Sequence, residues 1–317
     1  MIRTSHNGGN HYHHFNSAYR HIEQIAAHTT RRNEPLSHHT TLRIGGPADL
    51  WVKPHTVQAG LEILSFCQKE SVPHVVLGKG SNVLVADSGY RGVVMNFSGC
   101  FRRFKRVQGG ARCGSGLALG GLVRKLAGEG LSGLEFAAGI PGTVGGAVAT
   151  NAGAHGGEIS HILKTALVVT EGQRRVLSRD ALTFGYREAP LVGAVIEVEL
   201  ELQQVAPERI RERIDHFMNI RERTQPIWER TAGCIFKNPP GDSAGRLIDA
   251  VGLKGASVGG AKVSELHANF IVNSGDATAA DMLALINLVK QRVRDGAGAQ
   301  LELEIELIGG LPSETVA

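Results

Sequence analysis

The run from Gly130 to Gly157, GLSGLEFAAGIPGTVGGAVATNAGAHGG, constrains this chain more than any other stretch. It gathers glycine, alanine and threonine around a single proline, with almost no charge. Neither an ordinary core nor a solvated linker has that composition. Glycine lets the backbone pass close to a ligand and take positive φ without steric cost, so consecutive small residues leave N–H groups available to phosphate oxygens. The run therefore reads as a diphosphate cradle, although on its own it is also compatible with tight turns in a β-rich domain.

A second glycine-rich element lies upstream, in VPHVVLGKGSNVLVADSGYRGVVMNF. Val75–Leu77 reads as a short buried strand, residues 78–82 as a polar turn and residues 83–86 as another strand. A dinucleotide fingerprint would need its third glycine where Val83 stands, and it opens a helix rather than a strand. The Walker pattern fails as well, because Lys79 is followed by Gly80 and no glycine stands five residues before it. What remains is two separated small-residue loops able to share one diphosphate.

Length and composition narrow the class. A chain of 317 residues exceeds a typical single core and calls for two or three compact units. The net charge of +4 is mildly basic, but the basic residues are dispersed and aromatics make up only 5%. No stacking platform for bases is legible, so nucleic acid is not an expected partner, whereas a small anionic substrate is. No apolar run reaches the ~20 residues needed to span a bilayer, and the first residues lack a secretory apolar segment. A cytosolic protein without membrane association is expected. Cys67, Cys100, Cys113 and Cys234 form no zinc-like spacing and should be reduced thiols. His11, His13 and His14 read as part of a polar tail, and no metal site is expected.

Along the chain, residues 1–20 read as a disordered lead, and a helix is expected around residues 21–27. Residues 56–70 show helical spacing of Leu61, Ile63, Leu64 and Cys67. A further helix is expected over 117–128, with strands over 165–170 and 194–203. Ile210, Ile214, Phe217 and Ile220 recur at helical spacing from Pro207 to about Arg223. Beyond lie a helix over 244–251, a strand over 269–272, a long helix over 277–294 and a last strand over 300–307. The expected division is 21–100, 101–210 and 211–317, each of mixed α and β structure.

These motifs together resemble the UDP-N-acetylenolpyruvoylglucosamine reductase family, flavoenzymes of bacterial peptidoglycan precursor synthesis. The resemblance runs from about Thr40 to Gly309 and rests on HTTLRIGG, LGKGSNVLVAD, GLSGLEFAAGIPGTVGGAV, NAGAHG, FGYRE, AGCIFKNP, AGRLIDAVGLKG, GGAKVSELHANFIVN and LELEIELIG, in the family's order. It implies an α+β fold with two FAD-binding subdomains of the vanillyl-alcohol oxidase type, followed by a substrate domain. The compact stretch between Arg187 and Cys234 resembles the family's shorter branch. The implied reaction is NADPH-dependent reduction of the enolpyruvyl ether of UDP-N-acetylglucosamine to the D-lactyl ether, with FAD N5 relaying the hydride. The sequence carries no dimer signature, and a monomer is expected.

The chemistry asks for a cation to stabilise the developing enediolate and for an acid to protonate the adjacent carbon. By the resemblance, Arg187 holds the substrate carboxylate, Cys234 supplies the proton and Glu304 assists the enediolate or orients the donor. A permanently charged, planar guanidinium suits the first role. Cys234 replaces the family's usual serine, and a thiol with a reference pKa near ~8.5 is a far stronger acid than a hydroxyl. Alternation along a strand would put Glu304 on one face with Glu302 and Glu306. The resemblance also implies that Tyr186, Gln225, Lys237, Asn238 and His267 contact the UDP-sugar. For the flavin it implies Arg43, Gly45, Gly78, Gly80, Ser81, Asn82, Gly139, Gly142, Thr143, Gly145 and Asn151. Ala189 and Ala149-Thr150 depart from the family's serine and methionine. An FAD-linked alcohol or sugar oxidase and a silent nucleotide-sugar sensor are the competing readings; the substrate-domain motifs argue against the first, and Arg187 with Glu304 against the second.

Overall fold

The computed structural model describes residues 15–189 and 191–311. Within them the chain forms two units that are not sequential blocks. The first holds the residues up to Glu34, Asp49–Gly78 and Gly92–Met218; the second holds Pro35–Ala48, Lys79–Arg91 and the residues from Asn219 onward. These units differ from the division expected at residues 100 and 210. Hydrogen bonds show why the two upstream segments join the second unit. The Asp87 carboxylate accepts from the Ala279 and Ala280 N–H groups at 2.8 and 3.1 Å, and Asn273 Nδ2 donates to the Leu42 carbonyl at 2.9 Å.

In the first unit, helix α1 (Asn16–Ile25) starts earlier than expected and buries Tyr19 and Ile22, so residues 15–20 are part of the fold. Residues 1–14 of the expected lead, with the three histidines, lie outside the described residues. Helix α2 (Val57–Lys69) begins where Thr56 accepts from the Ala59 N–H, and it buries the predicted Leu61, Ile63, Leu64 and Cys67. These pack on a sheet of strands Thr30–Pro35, Pro47–Val52, Tyr90–Asn96 and His74–Leu77, in that order, the last two parallel.

A five-stranded antiparallel sheet follows, in the order Gln173–Ser178, Leu163–Thr170, Ala194–Glu201, Gly110–Gly114, Phe104–Val107. Helix α3 (Leu119–Gly128) covers it without a side-chain N-cap. Losing a cap costs about 1 kcal/mol. Burying Leu119, Leu122, Val123 and Leu126 outweighs that, at roughly 1.5–3 kcal/mol for each fully buried large side chain. Helix α4 (Val144–Ala149) adds Val144, Ala147 and Val148 to the same core, and helix α5 (Pro207–Thr224) sets Ile214, Phe217 and Met218 against it.

The second unit has an antiparallel sheet in the order Thr231–Cys234, Phe270–Asn273, Ala261–Val263, Ser257–Val258, with helices α6 (Ala244–Ala250) and α7 (Ala279–Ala297). Helix α7 is fixed at both ends. Thr278 and Asp281 form a capping box, and Gly298 ends it at φ 66°. Its stripe of Met282, Leu285, Ile286, Val289 and Val293 is buried at the helical spacing. The last strand is shorter than expected. Only Glu306–Ile308 is a strand, parallel to Val83–Val85, whereas Leu303 bridges Phe236 in antiparallel fashion. The chain changes partner between Glu304 and Glu306, which interrupts the single alternation expected for Glu302, Glu304 and Glu306.

Candidate functional site

Each unit carries a group of the predicted residues. In the first unit, the turn at Gly78 meets the small-residue run. A Cβ at Gly78 would lie 2.6 Å from Thr143 Oγ1, and one at Gly145 would lie 2.8 Å from the Ser115 Cβ. Gly139 and Gly142 take φ of 74° and 138° around Pro141. Thr143 is buried and accepts from the Gly146 N–H, and the Gly145 N–H donates to the Ser115 carbonyl at 2.8 Å. Ser115 is 3% exposed, and its hydroxyl is buried without a hydrogen-bond partner. A backbone cradle that admits no Cβ, beside an unsatisfied buried hydroxyl, fits a diphosphate ester such as FAD. Sequence reasoning missed Ser115, because a serine in RCGSG carries no spacing signal.

Asn151 is held within the protein. It is 0% exposed at φ 43°, and its side chain is spent on the protein. Nδ2 donates to Glu158 Oε1 and to the Gly185 carbonyl, both at 3.0 Å, and Oδ1 accepts from the Ser160 N–H at 3.0 Å. Asn151 is thus a structural tie between the small-residue run and the Gly185 turn.

Arg187 lies in the turn that Asn151 holds. Gly185 and Glu188 exchange backbone hydrogen bonds at 3.0 and 3.1 Å, and Arg187 takes φ 58°, a left-handed conformation uncommon for its type. Its guanidinium donates to the Gly153 carbonyl at 2.7 Å and lies 5.2 Å from the ring of the exposed Tyr186. Burial works against the charge of Glu158, but hydrogen bonds from Ser160 and Asn151 and the charges of His161 and Arg187 outweigh it and hold the carboxyl below its ordinary value.

In the second unit, the segments that carry Cys234 and Glu304 lie side by side. The Glu304 N–H donates to the Ile235 carbonyl at 2.8 Å, so the glutamate runs beside the residue that follows the cysteine. Cys234 is half-buried, in contrast to the fully buried Cys67 and Cys113, whose thiols burial pushes up to about 12. Asn82 Nδ2 donates to the Glu304 carbonyl at 3.2 Å, and the Glu306 N–H donates to the Asn82 carbonyl at 2.9 Å. Asn82 thus holds the glutamate segment. Gly45 packs against Val85, and Gly80, at φ 60°, packs against the His39 carbonyl. Arg43 is exposed at φ 59° and reaches the His38 carbonyl at 3.4 Å.

Of the predicted sugar-nucleotide contacts in this unit, Asn238 is exposed and accepts from the Ala244 N–H at 3.0 Å, a local tie at the start of α6. Lys237 Nζ lies 3.8 Å from the exposed Glu302 carboxylate. His267 Nδ1 accepts from the Asn269 N–H at 3.2 Å, which leaves the proton on Nε2; burial lowers its pKa, and Lys254 adds to the effect. The Gln225 carbonyl oxygen is buried without a partner. One turn earlier on the same helical path, Arg221 is 8% exposed and its Nε is likewise buried without a partner. Burial lowers the Arg221 pKa, against an opposing influence from Cys234. Nothing in the residue pattern singles out Arg221, one of several arginines on a charged helix. A buried guanidinium with an unsatisfied N–H suits an anionic group.

Two family profiles match the chain. The profile of the FAD binding domain matches residues 48–178, and that of the UDP-N-acetylenolpyruvoylglucosamine reductase C-terminal domain matches residues 225–308. The chain is similar to UDP-N-acetylenolpyruvoylglucosamine reductase of Bacillus subtilis, with 43% identity over 283 residues, covering 88% of this chain and 93% of the relative. It is also similar to that of Moorella thermoacetica, with 46% identity covering 87% and 92%. Among solved structures, the reductase of Thermus caldophilus matches with a TM-score of 0.78 and 41% identity, covering 88% of this chain and all of that one. The chain belongs to the UDP-N-acetylenolpyruvoylglucosamine reductase family, a family of FAD-binding oxidoreductases.

Proposed function

We propose that this chain is an NADPH-dependent reductase that converts the enolpyruvyl ether of UDP-N-acetylglucosamine into the D-lactyl ether in the cytosol, with Arg187, Cys234 and Glu304 serving one substrate. The observation that supports this reading is that the segments bearing Cys234 and Glu304 run side by side, through the 2.8 Å hydrogen bond from the Glu304 N–H to the carbonyl of Ile235, the residue after the cysteine, in a chain of this family.

Gly78, Thr143, Gly145 and Ser115 would hold FAD, which would supply two-electron redox chemistry to the site. Arg187 binds the substrate carboxylate and stabilises the negative charge that hydride addition pushes into it. The Cys234 thiol gives its proton to the carbon bearing the ether oxygen, and the thiolate regains a proton from solvent. Glu304 orients that donor. Arg221 and Gln225 bind anionic and amide groups of the same sugar nucleotide, and His267 donates from Nε2.

Turnover followed by nicotinamide absorbance tests the reading. Cys234→Ser is expected to retain reduction of the substrate. Cys234→Ala is expected to keep NADPH-driven flavin bleaching while substrate reduction falls by about a hundredfold or more. Equal turnover by the alanine variant removes the proton-donor assignment.

A further inference from the structure

Resting on the reading of Arg187 as the carboxylate-binding cation, we propose that Asn151 and Glu158 are positioning residues that fix the Arg187 guanidinium for the reduction step. The surroundings of Arg187 are unusual for a loop residue. Its backbone sits in a left-handed conformation inside a four-residue turn, and its guanidinium leans on a two-residue hairpin, Gly153–Ala154 paired with Gly157–Glu158. Two separate pieces of chain must therefore stay in register for the charge to be in place.

One buried amide group performs that task. Asn151 Nδ2 donates both to the carbonyl of Gly185, which opens the Arg187 turn, and to the carboxylate of Glu158, which ends the hairpin. Its carbonyl accepts from Ser160, and the Ser160 hydroxyl also donates to Glu158. In register, Glu158 lies opposite Gly153, the residue whose carbonyl receives the guanidinium. A Cβ on Gly153 would stand 2.9 Å from the Glu158 Cβ and 3.0 Å from an Arg187 nitrogen, so both side chains flank one glycine. Glu158 thus sets a negative charge beside the guanidinium, and Asn151 fixes the distance between the carboxylate and the turn. Two hydrogen bonds from one amide replace the long-range packing that a surface loop lacks. The consequence is a guanidinium whose geometry is set before substrate arrives.

The test uses the full FAD-loaded protein, in a double-mutant cycle of Glu158→Gln with Arg187→Ala. The rate at which the enolpyruvyl substrate reoxidises the reduced enzyme, the kcat and KM values and the thermal midpoint are measured for all four proteins. Misplacing a reacting group by about 1 Å can cost on the order of a hundredfold. Glu158→Gln is therefore expected to lower kcat by about tenfold, with little change in KM or midpoint, and Asn151→Asp by about a hundredfold. In the Arg187→Ala background, Glu158→Gln is expected to change the rate by less than about twofold, because coupled residues are non-additive. Glu158→Asp, which keeps the charge, should recover part of the lost rate. A full tenfold loss from Glu158→Gln in the Arg187→Ala background overturns the proposal, as does a neutral Glu158→Gln beside a severe Arg187→Ala. If Arg187→Ala itself leaves turnover unchanged, the carboxylate-binding reading falls, and the positioning proposal falls with it.

Discussion

Asn151 in the first unit and Arg221 in the second are both buried polar residues at the edge of a helix, yet they are treated in opposite ways. Asn151 satisfies both ends of its amide with three partners at 3.0 Å. Arg221 is 8% exposed with an Nε that finds no acceptor, and the Gln225 oxygen four residues on finds no donor. Burying a polar group without a partner costs free energy that folding must offset elsewhere. A network completed within the chain builds a scaffold, whereas an incomplete one is a cost that a ligand of the right charge can relieve. The two regions therefore differ in what they are for: one holds a functional group still, and the other is set to receive.

That contrast predicts stability changes of opposite sign. The largest effect belongs to Asn151→Ala, which leaves the Gly185 carbonyl and the Ser160 N–H without partners and puts alanine at φ 43°. A loss of about 2–3 kcal/mol is expected in chemical denaturation. A loss under about 0.5 kcal/mol would mean that the network is not the scaffold described. Arg221→Met should move the other way, since replacing a buried, incompletely paired charge by an apolar side chain of similar length stabilises by about 1–2 kcal/mol. Flavin content should stay the same, and KM for the sugar nucleotide should rise. A destabilised Arg221→Met protein would erase the contrast.

The smallest effect sharpens the second region through pH. Burial and Lys254 hold the His267 pKa below its ordinary value, so the unfolded chain binds this proton more tightly than the folded one. Stability from this residue is complete above the unfolded histidine range and declines as pH falls from about 7 towards 5. His267→Asn retains an acceptor for the Asn269 N–H and removes the titration. Its thermal midpoint should fall less between those pH values than that of the parent protein, and parallel slopes would refute the assignment.

Much of this was legible in the sequence because local chemistry repeats itself. Thr56 before an apolar helical stripe, Thr278 three residues before Asp281 and the stripe from Met282 to Val293 announce α2 and α7 without any tertiary information. The glycine run and the FKNP and LELEIELIG segments likewise stand out in the sequence as small-residue or charged motifs, and the last two lie side by side in the structure. What stayed hidden depended on contacts between residues far apart. Asn151 in NAGAHG reads as one more polar residue in a small-residue loop until Gly185 is brought beside it. Arg221 looks like its neighbours Arg213 and Arg223 until burial separates them. The membership of Pro35–Ala48 and Lys79–Arg91 in the second unit is set by partners such as Asp87 with Ala279, some 190 positions away, which no periodicity records.

The parallel pairing of Glu306–Ile308 with Val83–Val85 has a consequence for biosynthesis. Residues 92–218 are translated well before Glu306–Ile308, so the antiparallel sheet of the first unit has its full complement of strands while synthesis continues. The Val83–Val85 segment meanwhile waits for Glu306–Ile308, a partner synthesised much later. Until those leave the ribosome the second unit exposes an unpaired, wholly apolar edge, and the nascent chain in that interval is the form most in need of a chaperone.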